Sequence, residues 1–73
     1  MLTKLIGRRY ATLEELKTDM EALTGKKVAS IMESETERLS DGDEMIDYEW
    51  EHSEVYTLFY LPDNAGRYYI TEV

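Results

Sequence analysis

Between residues 32 and 54 the stretch "MESETERLSDGDEMIDYEWEHSE" carries ten acidic side chains and a single base, Arg38. Carboxylates at this density can do three kinds of chemistry: hold a cation, move a proton, or stand in for phosphate. Cation binding needs a cage, and "SDGDE" lacks the alternating Asp or Asn ligands that a calcium loop places before its glycine. A hairpin turn accounts for these residues better, and divalent ions drawn to the cluster would bind weakly and incidentally. Proton transfer or nucleophilic attack needs an organised chain of groups. A Ser53–His52–Asp47 chain fails on a strand, because adjacent side chains point to opposite faces. One histidine and no cysteine exclude thiolate and multi-histidine metal sites. The bases form no phosphate loop, since neither "TGKK" nor "GRR" matches GxxxxGK[ST]. No catalytic, cofactor-binding or metal-ligating residue is expected, and the chain reads as non-enzymatic.

Phosphate replacement is the remaining chemistry, and the charge distribution favours it. Residues 1–31 hold six bases against four acids, a balance of +2; residues 32–54 hold one against ten, −9; residues 55–73 hold one against two, −1; together they make the net charge of −8. Such a chain is repelled by nucleic acid and by anionic membranes and attracted to basic surfaces. Direct nucleic-acid binding is therefore not expected, even with Lys4, Arg8, Arg9, Lys26 and Lys27 forming a small basic edge. No apolar run approaches the roughly 20 residues of a spanning helix, and "MLTKLIGRRY" is short and early basic for a signal peptide, so the chain reads as unprocessed and outside the membrane. The absence of cysteine favours a reducing, cytoplasmic setting.

The elements that must position the acids follow from local pattern. At 73 residues the chain is expected to be one small domain, 1–73, burying only about 60% of its unfolded surface. In "ATLEELKTDMEALTGKK", Thr12 can cap a helix with Glu15 reaching back, and Ala11 with Leu16 fits a hydrophobic staple. Leu13, Leu16, Met20 and Leu23 share one face, and Gly25 stops the helix ahead of Lys26 and Lys27. The period then changes to two. "KVASIMESE", "MIDYEWEH", "EVYTLFYL" and "RYYITEV" read as strands, with "PDNAG" as a turn between the last two. "LTKLI" fits either a short strand or a helical extension. The fold expected is α+β: one amphipathic helix, followed by an antiparallel meander of three or four strands, packed on one sheet face.

Strand register decides where the acids lie. A tight turn at Ser53 and Glu54 pairs His52 with Val55, Trp50 with Thr57, Tyr48 with Phe59 and Ile46 with Leu61. That sets Leu16, Met20, Tyr48, Trp50 and Phe59 as the core and leaves Tyr56, Leu58 and Tyr60 on the open face. A three-residue loop at Asp41–Gly42–Asp43 sets Glu37 opposite Asp47, Glu35 opposite Glu49 and Glu33 opposite Glu51. A two-residue loop would bury carboxylates instead, which costs more than the few tenths to about 1 kcal/mol of a facing like-charge pair.

The expected outer face thus carries Glu33, Glu35, Glu37, Asp47, Glu49 and Glu51, with an apolar patch of Tyr56, Leu58 and Tyr60 beside it. Two such strands bear about one charge per 3.3 Å, roughly half the density of duplex DNA. The function expected is an acidic protein-binding module that inhibits a host or defence enzyme by occupying its basic nucleic-acid site. Its composition is similar to that of small DNA-mimicking inhibitors from phages and mobile elements. The alternative is an assembly module that docks or forms a homodimer through the Tyr/Leu face, with the acids as a solubilising surface.

Overall fold

The computed structural model describes residues 2–34, 42–63 and 65–73. Thr12 initiates helix α1, Leu13–Thr24, as its pattern requires: the Thr12 hydroxyl accepts from the Glu15 N–H at 3.2 Å. Glu15 reaches back one residue further than a capping box demands, its carboxylate accepting from the Ala11 N–H at 3.2 Å. At the other end Gly25 adopts φ 71°, a left-handed conformation open to glycine, and donates to the Glu21 carbonyl. The Glu21 carboxylate in turn accepts from the Val28 N–H at 2.9 Å, which fixes how the chain leaves the helix for the sheet.

Five antiparallel strands follow the order β1-β5-β4-β3-β2, with β1 Arg9–Tyr10, β2 Val28–Glu33, β3 Glu44–Trp50, β4 Val55–Pro62 and β5 Tyr68–Glu72. The α+β class and the helix-then-meander order are as expected; the sheet has one strand more. The addition is Arg9–Tyr10, which pairs with Tyr69 and Tyr68 at the edge beside the last strand. The ambiguous opening residues form a 3-10 helix, Leu2–Leu5, and bury Leu5 completely.

The helix covers one side of the sheet. Leu16 and Met20 meet Ile46, Tyr48, Leu58, Tyr60 and Ile70 there, and all are buried. Three of the five expected core residues belong to this cluster. Trp50 is only half-buried at its margin, and Phe59 faces the opposite side of the sheet.

The position of Phe59 follows from a register three residues away from the one expected. Ile46 pairs with Leu58, Asp47 with Thr57 and Tyr48 with Tyr56, because the turn begins at Trp50 rather than at His52. The Ser53 hydroxyl accepts from the Trp50 N–H at 3.0 Å, the Ser53 N–H donates to the Trp50 carbonyl at 3.3 Å, and His52 takes φ 62° between them. An odd shift exchanges the two faces of a strand. Leu58 and Tyr60, expected on the open face, are therefore core residues with 0% and 4% of their surface exposed. Both sides of β4 are apolar, so pattern alone does not choose between them; the serine-capped turn does.

The β2–β3 pairing also differs. Met32 lies opposite Asp47, Ser30 opposite Glu49 and Glu33 opposite Ile46, with a bulge between Val28 and Ser30. Glu33 therefore does not face Glu51 as expected, and the Asp41–Gly42–Asp43 loop reaches outside the described residues. The observed register replaces facing carboxylates with facing Ser–Glu and Met–Asp pairs and so removes their repulsion.

Candidate partner-binding face

The side of the sheet away from the helix is built from β3 outward. Alternation places Met45, Asp47 and Glu49 there, with Asp43 just before the strand. Pairing then brings Ser30 and Met32 of β2, and Val55, Thr57 and Phe59 of β4, onto the same side. Leu61 opposite Tyr69 extends it to β5, and Arg9 opposite Tyr69 closes it at β1.

Three carboxylates on this face each accept a hydrogen bond from a hydroxyl on another strand. Ser30 donates to Glu49 at 3.0 Å, Thr57 to Asp47 at 3.1 Å and Thr71 to Asp43 at 2.9 Å. A single hydroxyl orients a carboxylate without neutralising it, and at Asp47 and Glu49 lone pairs remain to meet a cation or guanidinium. Among the described residues no basic side chain is within ion-pairing distance of Asp47 or Glu49. The two ion pairs found lie towards the β1 edge: Arg8 with Asp19 at 3.0 Å and Arg9 with Asp63 at 3.4 Å. Arg9 also rests 4.6 Å from the Tyr69 ring centroid, so both arginines are already engaged. Exposed Met32, Val55 and Leu61 stand among the acids, at 56%, 63% and 36% of their surface.

The residues singled out from sequence are thus divided. Asp47 and Glu49 lie on the outer face as expected. Glu33 lies on the helix side, where its carboxylate accepts from the Tyr60 hydroxyl at 3.0 Å. Glu51 sits exposed in the β3–β4 turn, its N–H donating to the Lys27 carbonyl. Glu35 and Glu37 lie outside the described residues. Of the apolar trio, Tyr56 is 46% exposed but belongs to the helix-side rim, stacked on Tyr48 with centroids 6.0 Å apart, and the other two are core. Asp43 and the three hydroxyls were missed, since nothing in a sequence links Thr71 to Asp43 before the register is known.

Catalytic geometry does not assemble around His52. The Ser53 hydroxyl is engaged by the Trp50 and Glu54 backbone, and Asp47 points across the sheet to Thr57. Among the described residues no three His, Asp or Glu side chains converge on a point that could hold a metal ion, and no helix is long and apolar enough to cross a membrane. Burial instead perturbs the tyrosines. Tyr10 is pushed up to about 12, first by desolvation and then by its 2.6 Å hydrogen bond to Asp19. Tyr60 is raised further by burial and by Glu33. The Arg67 and Ala65 N–H groups hold the Asp63 carboxyl below its ordinary value in the β4–β5 turn. Compared with known proteins, the chain matches no family model, no curated protein and no solved structure.

Proposed function

We propose that the protein is a non-enzymatic binding module that presents its uncovered sheet face to a basic surface of a nucleic-acid-handling protein, inhibiting it by occupying the site that normally holds phosphate. The observation that carries this reading is the set of hydroxyl-oriented carboxylates along β3, of which Asp47 and Glu49 have no cation beside them among the described residues. Asp47 and Glu49 stand about 7 Å apart along β3, roughly a quarter of the linear charge density of duplex DNA. Charge at that density steers and orients a basic partner, but affinity also needs apolar contact. Met32, Val55 and Leu61 supply it on the same face. A second copy is a poor occupant, because the same acids would meet themselves.

Reversing Asp47 and Glu49 to Lys is the direct test, on partner captured from lysate by the immobilised protein and then purified. Binding should be lost, and added DNA or RNA should compete with the unmodified protein for the partner. A complex that survives both treatments would return these acids to the role of a solvated surface.

A further inference from the structure

At the opposite side of the molecule from the acidic face, Trp50 separates two clefts that share it and Lys26. One, of about 480 Å³, is bounded by Lys27, His52 and Tyr56, and the other, of about 390 Å³, by Leu2 and Leu23. Both volumes fall within the range of small-ligand sites. The Lys26 ammonium lies 5.7 Å from the indole centroid, at the junction of the two. A cation–π contact at an exposed site is weak, so this side chain is free to turn towards an incoming group. Arg8 and Arg9 are ion-paired, whereas Lys26 and Lys27 have no carboxylate within pairing distance among the described residues. His52 is held at the rim in a left-handed conformation that a non-glycine residue rarely adopts, with φ 62°.

We propose that this groove binds a small amphipathic monocarboxylate, its apolar tail between Leu2, Leu23 and Trp50 and its carboxylate between Lys26 and Lys27. The arrangement selects both ends of such a ligand: one cleft is lined by Leu2, Leu23 and the indole with Thr24 and Lys26 at its border, the other carries Lys26 and Lys27, unpaired among the described residues, and the indole spans the boundary. Glu51 lines the charged cleft as well. Its charge disfavours a multiply charged anion such as a nucleotide, and two lysines against one glutamate leave a balance suited to a single negative charge. The site is independent of the partner-binding face, which uses other residues on the other side of the sheet.

Trp50 is the only tryptophan of the chain, so its fluorescence reports the groove directly. Octanoate should change it saturably, with a Kd on the order of 1 mM for so small and open a site. Octanamide, with the same tail and no charge, should bind about tenfold more weakly, and so should octanoate to a Lys26→Gln/Lys27→Gln variant. Glu51→Gln should tighten octanoate binding about twofold to threefold by removing the like charge. All the substituted residues are exposed, and circular dichroism checks that the variants fold. Octanamide binding as well as octanoate, a double lysine variant that binds like the parent, or a fluorescence change that never saturates would overturn the assignment.

Discussion

Leu58 and Phe59 are neighbours in β4 with opposite surroundings: the first has no accessible surface, and the second lies half-buried on the face the helix does not cover. Leu58→Ala should therefore cost about 2 to 5 kcal/mol, comparable with the whole stability of a domain this size. Phe59→Ala should cost about 1 kcal/mol. Chemical denaturation of the two variants checks the order, and the reverse order would contradict the β3–β4 register. The tyrosines give a second residue-scale test. A phenol whose folded value is raised favours the neutral form in the native state, so its contribution is complete below the unfolded value of 10.0 and is lost as pH rises through the folded one, about 12 for Tyr10. Stability measured by denaturant titration should fall from about pH 10 towards about pH 12. In a Tyr10→Phe/Tyr60→Phe variant that fall should flatten; an unchanged slope would mean that other groups drive it. At this scale the sequence identifies Asp47 and Glu49 as outward-facing, since alternation along one strand is a local property. It does not identify Ser30, Thr57 and Thr71 as the hydroxyl partners of Glu49, Asp47 and Asp43, since that pairing joins residues 10 to 28 positions apart.

Among the elements, α1 is the most legible, because its cap, its apolar stripe and its glycine stop lie within one continuous stretch. The strands are legible as strands, but their mutual register is not. Two apolar sides on β4 leave the hydrophobic pattern degenerate, and the choice passes to the turn formed by Trp50, Glu51, His52 and Ser53. The left-handed region costs an L-residue roughly 1 to 2 kcal/mol, less for histidine than for branched side chains. His52→Gly should therefore raise stability by about 0.5 to 1 kcal/mol after allowing for the greater freedom of glycine in the unfolded chain. A thermal melt reads this as a higher midpoint; a lower one would show that the imidazole makes contacts worth more than the backbone relief. The extra strand, Arg9–Tyr10, escapes sequence reading because two residues are too few to show any period. Its place is fixed by distant backbone bonds, from the Gly7 N–H to the Ile70 carbonyl at 2.8 Å and from the Ile70 N–H to the Arg8 carbonyl at 3.0 Å.

For the molecule as a whole, a net charge of −8 on 73 residues opposes compaction through self-repulsion. Raising sodium chloride from about 0.01 M to about 1 M shortens the screening length from about 30 Å to about 3 Å. The urea midpoint should rise over that range while affinity for a basic partner falls, so one titration moves folding and binding in opposite directions. A midpoint that drops instead would mean that the Arg8–Asp19 and Arg9–Asp63 pairs outweigh the repulsion. The arrangement of the sheet has one more outcome. An open sheet ends in two rows of unpaired amides, which can recruit the strands of other molecules into fibrils. Here one border is a strand of only two residues, and the other is interrupted by the bulge between Val28 and Ser30, with Lys26 and Lys27 before it and Glu33 at its end. Among the described residues neither border is long, flat and uncharged enough to template growth, so the sheet discourages the addition of further strands at its edges.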